Sequence, residues 1–176
     1  MNTKDFLTLL SVSLLWGASF LFLRLLVLDG LEPLQIVSIR MILAALFIAP
    51  FFIRKMKKHS FYDHGFSFLL IGLLNTALPF TMFAYASVSL GAGSLSILQA
   101  TVPILTALIL FTLYKGEFSY FKLSGVMIGF AGLFLLVGPS GNLDLFASIL
   151  CVVASLSYAI AGVYLAKTPE IGRAHV

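Results

Sequence analysis

The sequence has little charge, one cysteine and three histidines in 176 residues, and each shortage excludes a class of protein. Charged side chains make up 10% and apolar ones 60% of the chain, whereas soluble domains hold about 25% charged residues, so a soluble fold is excluded. Cys151 alone cannot form an internal disulfide or a multi-cysteine metal site. The length leaves room for six membrane spans of about 20 residues and for little else, so no extramembrane catalytic domain is expected.

Six long apolar stretches predict six transmembrane helices. The alternating pattern of a barrel strand is absent, and a bilayer offers no partner to free backbone N–H and C=O groups, which favours helices. The predicted fold class is therefore all-α, a polytopic transmembrane helical bundle. The six stretches are Phe6 to Leu28, Leu34 to Ile53, Phe66 to Ala86, Ala92 to Tyr114, Leu123 to Gly138 and Leu145 to Ala166.

The basic residues are confined to one set of loops. Lys and Arg precede span 1 and follow spans 2, 4 and 6, while the alternate loops carry Asp29, Glu32 and Asp144 and no Lys or Arg. By the positive-inside rule this distribution predicts a multi-pass protein of the inner (plasma) membrane with a cytoplasmic N-terminus. The net charge of +4 is thus interpreted as a topology signal, and no nucleic-acid partner is expected.

Several motifs occur in an order that resembles one family. Span 1 contains Leu15-Trp16-Gly17-Ala18-Ser19-Phe20, and span 2 contains Arg40 followed by small and apolar residues. The longest pattern runs from Phe83-Ala84-Tyr85-Ala86 through Gly91-Ala92-Gly93, Pro103 and Gly116-Glu117 to Gly125, Gly129 and Gly132. In order and spacing, residues 6–138 resemble one five-helix repeat of the EamA group of the drug/metabolite transporter superfamily.

The resemblance implies a domain organisation and an activity. Family members hold two such repeats of opposite orientation, so residues 1–138 are expected to form the first repeat and 139–169 the start of the second. Residues 170–176 are expected to be a non-native tail, because a DNA string that would encode them matches a widely used sequencing adapter, and a short native polar tail is the alternative. The implied activity is export or exchange of small polar metabolites by alternating access. The expected partners are the small-molecule substrate, the lipid bilayer, the missing C-terminal half and a second copy in a homodimer. The truncated chain is expected to be inactive alone.

Acidic residues are missing from the predicted spans. All seven Asp and Glu residues lie outside them, which disfavours proton coupling through carboxylates in these helices. No catalytic triad, carboxylate pair or metal-ligand set can be assembled at membrane depth, so no enzyme, cofactor or metal site is expected.

The alternative function is a non-transporting membrane scaffold that uses glycine-rich helix faces. Four further helices downstream of this sequence would favour a transporter over this scaffold.

Two arginines and two amides are the candidate substrate-binding groups. Arg24 and Arg40 fall inside spans, where each charge costs roughly 2.5–3.5 kcal/mol near a helix centre. Arg24 is close enough to the end of span 1 to reach the interface, and Arg40 is expected either to bind an anionic substrate group or to satisfy helix-end carbonyls. Pro79 and Pro103 are predicted to free the carbonyls four residues earlier, at Asn75 and Gln99, for substrate or for a satisfied kink.

The predicted substrate site lies in a cavity between spans 1, 3, 4 and 6. Its arginines attract an anionic group, its aromatic residues pack an apolar portion, and its amides donate or accept hydrogen bonds. The full set is Trp16, Phe20, Arg24, Arg40, Asn75, Pro79, Gln99, Pro103 and Tyr158.

Overall fold

The computed structural model describes residues 2–55, 58–113, 120–137 and 144–167, and the regular structure of these residues is helical throughout. This confirms the predicted all-α transmembrane bundle. Residues 170–176, the predicted non-native tail, lie outside the described residues, as do the predicted span ends at Tyr114 and Gly138. The helices are α1 (Thr3–Leu28), α2 (Pro33–Lys55), α3 (Lys58–Gly72), a π-helical turn (Leu73–Ala77), α4 (Leu78–Ala86), α5 (Ala92–Gln99), α6 (Val102–Leu113), α7 (Tyr120–Val137) and α8 (Leu145–Lys167).

Five continuous stretches of the described residues are long and apolar enough to cross a membrane. They correspond to the predicted spans 1, 2, 3, 4 and 6, while the predicted fifth span corresponds to the 18-residue helix α7, which is not among these five. The five stretches are Thr3–Leu28, Pro33–Arg54, His64–Ala86, Ala92–Leu110 and Leu145–Ala166.

Spans 3 and 4 are both interrupted near the middle. In span 3 the chain passes from α3 through the π turn into α4, and Pro79 stands in the first turn of α4. In span 4 helix α5 ends at Gln99 and α6 begins at Val102, with Pro103 as its second residue. Both prolines therefore occupy the first turn of a helix, where proline is tolerated. Because α4 continues directly from the π turn, the missing N–H of Pro79 still withholds a donor from a carbonyl of that turn.

Helix α8 lies at the centre of the bundle. About 39% of its most apolar stretch is buried, against 11–17% in the other four spans, and it packs against the π turn, α4, α5 and α6. The side chains of Cys151, Ala154, Ser155 and Ala159 are fully buried. All four are small, and small side chains let helices approach closely in a membrane, where packing rather than hydrophobicity drives association.

The connection between α1 and α2 is a tight turn built on Gly30. This glycine has a φ of 92°, a conformation that side-chain-bearing residues rarely adopt. Its N–H donates to the Val27 carbonyl and the Leu31 N–H donates to the Leu26 carbonyl, both at 3.1 Å. These two bonds form a Schellman motif, which satisfies carbonyls at the end of α1 and reverses the chain into α2.

Helix α7 carries a face of three glycines that has no close neighbour in the described part of the chain. A methyl group added at Gly125, Gly129 or Gly132 would meet no atom within 4 Å. These glycines therefore do not mediate a tight helix–helix contact among the described residues.

Candidate functional site

A cavity of about 270 Å³ lies between α1, α2, α4, α5 and α8. Aliphatic residues of α1 and α2 form part of its wall, and the remaining wall is aromatic or polar. Span 2 thus contributes to the cavity in addition to the four predicted spans. The aromatic and polar members are Trp16, Ser19, Phe20, Arg40, Phe80, Phe83, Gln99 and Tyr158.

A second, more open cavity of about 460 Å³ adjoins the first. The two share Trp16, Gln99 and Tyr158 as wall residues. The second cavity is also lined by Asn75 and Pro103, so the two interrupted helices contribute to it directly. A ligand that contacts Trp16 or Tyr158 can therefore reach the amide groups of both interrupted helices.

Arg40 supplies the positive charge of the first cavity. Its guanidinium carbon lies 4.2 Å from the centroid of the Phe80 ring, which is cation–π geometry. Within residues 2–55, 58–113, 120–137 and 144–167 it has no carboxylate partner. A guanidinium carries five N–H donors and is always protonated, so Arg40 can bind a carboxylate or phosphate group.

The aromatic wall is a connected set of four rings. Phe20 and Phe83 meet edge to face with centroids 5.4 Å apart. Tyr158 stacks on Phe83 and meets Phe80 edge to face, each at 6.5 Å. These are the separations at which aromatic pairs attract one another beyond simple burial, so the rings form a rigid apolar surface beside Arg40.

The hydroxyl of Tyr158 is buried and has no hydrogen-bond partner among the described residues. A buried polar group without a partner costs on the order of 1–3 kcal/mol. Tyr158 lines both cavities, so this hydroxyl can gain a partner when a ligand brings a polar atom to it.

Arg24 lies outside both cavities. Its guanidinium donates to the carbonyls of Ser87 and Val88, the latter at 2.9 Å, immediately after the C-terminus of α4. The carbonyl end of a helix carries partial negative charge, which a cation stabilises. Of the predicted site residues, Arg24 is thus the one that the structure assigns to helix-end carbonyls rather than to the aromatic wall.

The predicted prolines and amides occupy different positions. Asn75, Gln99 and Pro103 line the second cavity, whereas Pro79 is fully buried and lines neither cavity. The carbonyls of the interrupted helices that accept hydrogen bonds from the serines of α8 are those of Leu74 and Leu98, each one residue before the predicted Asn75 and Gln99.

Four residues at or beside the site were not among the predicted substrate-binding residues. Phe83 entered the prediction only as part of a family motif and Phe80 not at all, because a phenylalanine in a span is usually lipid-facing. Ser155 and Ser157 donate to the Leu98 and Leu74 carbonyls. Their signal was only two serines in an apolar helix, which is typical of many membrane helices.

A metal centre is not found in the described residues, since no group of three His, Cys, Asp or Glu side chains lies close enough together there to hold an ion.

The chain is similar to known transporters. Residues 4–138 match the EamA-like transporter family, in agreement with the resemblance noted in the sequence. The uncharacterized transporter YoaV of Bacillus subtilis is 28% identical over 167 residues, which cover 92% of this chain and 56% of that protein. An uncharacterized transporter of Archaeoglobus fulgidus is 33% identical over 153 residues, covering 84% of this chain and 50% of that protein. The chain thus spans about half the length of the curated relatives it matches, and no solved structure matches it.

Proposed function

Because this chain belongs to the EamA-like transporter family, we propose that its first cavity binds a small metabolite that carries an anionic group. The whole protein then moves this solute, an amino-acid-like or other small polar molecule, across the inner membrane by alternating access. Efflux or exchange is the proposed direction, with the N-terminus in the cytoplasm. In this proposal a second five-helix repeat completes the transporter, which pairs with a second copy as a homodimer.

Arg40 carries this proposal. A charge within a membrane-spanning helix is expensive and usually faces a functional cavity. Arg40 faces such a cavity, and its partner among the described residues is the face of the Phe80 ring. A cation–π contact leaves the in-plane N–H donors of a guanidinium available, so an incoming carboxylate can bind them without displacing an existing ion pair.

The size and chemistry of the cavity favour a small amphipathic solute. Its volume of about 270 Å³ lies just below the range of about 300–1,000 Å³ that is typical of sites for drug-sized ligands. The rings of Phe20, Phe83 and Tyr158 offer apolar contact. The amide of Gln99 and the hydroxyl of Tyr158 offer hydrogen bonds at the border with the second cavity.

A flux measurement tests the proposal. The product of the complete gene is placed in inside-out vesicles, and uptake of radiolabelled glutamate, lactate, leucine and lysine is measured. We expect Arg40→Gln to reduce the transport of the anionic solutes by about tenfold or more, since a charged hydrogen bond is worth about 1.5–3 kcal/mol. Arg40→Lys should retain part of the flux because it keeps the charge.

Arg54→Gln is the matched control, because Arg54 is an exposed arginine at the end of the same helix. It should transport at the original rate. If Arg40→Gln also transports anionic solutes at the original rate, Arg40 does not belong to the site.

A second candidate function is a membrane scaffold that does not transport. The observation that favours it is the open glycine face of α7 at Gly125, Gly129 and Gly132, because glycine faces let another helix approach closely. Gly129→Leu distinguishes the two functions. A scaffold would lose its partner in a crosslinking experiment, whereas a transporter that does not use this face would keep its flux.

A further inference from the structure

Both interrupted helices are bonded to α8 at their interruptions. The Ser157 hydroxyl donates to the Leu74 carbonyl in the π turn at 2.7 Å. The Ser155 hydroxyl donates to the Leu98 carbonyl, one residue before α5 ends, at 3.1 Å. One helix therefore contacts both breaks through side chains of the same type.

The Leu74 carbonyl needs an external donor because of its place in the π turn. In a regular α-helix the Leu78 N–H would donate to it, but that N–H donates to Leu73 instead. The next residue that a π-helical register would use is Pro79, which has no N–H. Ser157 supplies the missing donor.

The Leu98 carbonyl is less dependent on α8. It also accepts hydrogen bonds from the Thr101 N–H at 3.2 Å and from the Thr101 hydroxyl at 2.6 Å. When the Ser155 bond is lost, the Leu98 carbonyl therefore keeps its bonds from Thr101. When the Ser157 bond is lost, the Leu74 carbonyl has no backbone donor at the position that an α-helix or a π-helix would use.

The two serines reach different helices because of their spacing. Residues two apart on an α-helix point about 200° away from each other, so Ser155 and Ser157 lie on nearly opposite sides of α8. Ser155 is fully buried and Ser157 nearly so. The residues that follow the two acceptors are Asn75 and Gln99, which line the second cavity.

We infer that Ser155 and Ser157 are positioning residues, which hold the two interrupted helices against α8 and thereby place Gln99 and Asn75 in the cavity wall. Ser157 places Asn75, and Ser155 places Gln99. The hydrogen bonds from Ser155 and Ser157 are observed in the structure whether or not the protein transports a substrate. The inference rests on the proposed function only in treating the cavity as the place where a substrate binds.

A crossed labelling experiment tests the inference. The product of the complete gene is prepared with its native cysteines, Cys151 included, replaced by alanine, and one reporter cysteine is introduced as Asn75→Cys or as Gln99→Cys. The reaction rate of each reporter with methyl methanethiosulfonate is measured with and without Ser155→Ala or Ser157→Ala. We expect Ser157→Ala to change the rate at position 75 by about threefold or more, the equivalent of about 0.6 kcal/mol for one interhelical hydrogen bond in a membrane.

The crossed pairs are the internal control. Ser157→Ala should leave position 99 almost unchanged, and Ser155→Ala should act on position 99 alone, with a smaller effect because Leu98 keeps its Thr101 bonds. Ser157→Thr, which retains a hydroxyl, should restore the original rate at position 75. Ser148→Ala should change neither rate, because the Ser148 hydroxyl donates within its own helix to the Asp144 carbonyl.

The inference is overturned if each serine variant changes both positions equally, which would indicate general loosening, or if neither position responds. The parallel flux assay separates this inference from the proposed function. Selective labelling together with an approximately threefold rise in KM for the labelled anionic solute in Ser157→Ala supports both. Selective labelling with an unchanged KM supports the positioning role and contradicts the assignment of Asn75 to the substrate.

Discussion

The assignment of Arg24 to the end of α4 predicts that its replacement weakens the fold and leaves the cavity intact. Arg24→Met is the informative change, since methionine keeps an unbranched apolar stem like that of arginine and removes all of its N–H donors. It removes the bonds to the Ser87 and Val88 carbonyls.

The expected magnitude follows from the number and kind of bonds lost. Interhelical hydrogen bonds in membranes contribute about 0.6 kcal/mol on average and at most about 1.7 kcal/mol, and a cation at a helix C-terminus adds about 0.3–1 kcal/mol. Two such bonds together give a loss of about 1–3 kcal/mol in the free energy of unfolding. The cost of placing the Arg24 charge in an apolar medium does not contribute to this difference, because α1 stays in the micelle in both the folded and the SDS-unfolded state.

The assay is reversible unfolding by SDS in mixed micelles. Arg40→Met is the matched control, because this substitution removes only the cation–π contact with Phe80 among the described residues. Such a contact contributes about 0.5–1 kcal/mol at an accessible site. We expect Arg24→Met to lower the free energy of unfolding by more than Arg40→Met does, and to leave the KM for the labelled anionic solute unchanged. Equal stabilities, or a raised KM with full stability in Arg24→Met, would refute the assignment and return Arg24 to the substrate site.

Two further predictions concern the cavity and the first turn. Tyr158→Phe should leave the free energy of unfolding unchanged or slightly raised, because the Tyr158 hydroxyl has no partner among the described residues. It should weaken ligand binding by about 2- to 10-fold, the value of one hydrogen bond. Tighter binding would contradict this. Gly30→Ala should destabilise the protein by about 1–2 kcal/mol, since its φ of 92° is strained for alanine. Gly17→Ala, in a helix with open space around it, should be neutral or stabilising in the same unfolding assay.

The helices and the family were predictable because both depend on strong local signals. Long apolar runs have one stable form in a bilayer, and spaced motifs such as Trp16-Gly17 are visible without a structure. The site residues Trp16, Phe20, Arg40, Gln99 and Tyr158 stood out for a related reason. Trp16, Arg40, Gln99 and Tyr158 are polar, charged or amphipathic groups in largely apolar spans, and Phe20 lies on the same face of α1 as Trp16. The structure brings all five together in one cavity.

The remaining features depend on tertiary structure and carry no local signal. The π turn before Pro79 leaves the carbonyl of Leu74, rather than that of Asn75, without a backbone donor, and the donor that it receives comes from Ser157 in α8. The position of Arg24 depends on where α4 ends relative to α1. Sequence spacing describes neighbours on one helix, whereas these contacts join residues 63–83 positions apart.

The central claim is that Arg40 makes the first cavity selective for anions, and ligand binding at Trp16 tests it most directly. Trp16 is the one tryptophan of these 176 residues and lines both cavities. In the product of the complete gene, with every other tryptophan replaced by phenylalanine, its fluorescence in lipid nanodiscs reports occupancy. Benzoate, benzamide and benzamidine have nearly the same shape and differ in charge. The account predicts that benzoate binds most tightly and benzamidine least, and that Arg40→Gln removes the preference. Tighter binding of benzamidine, or an unchanged preference in Arg40→Gln, would contradict it.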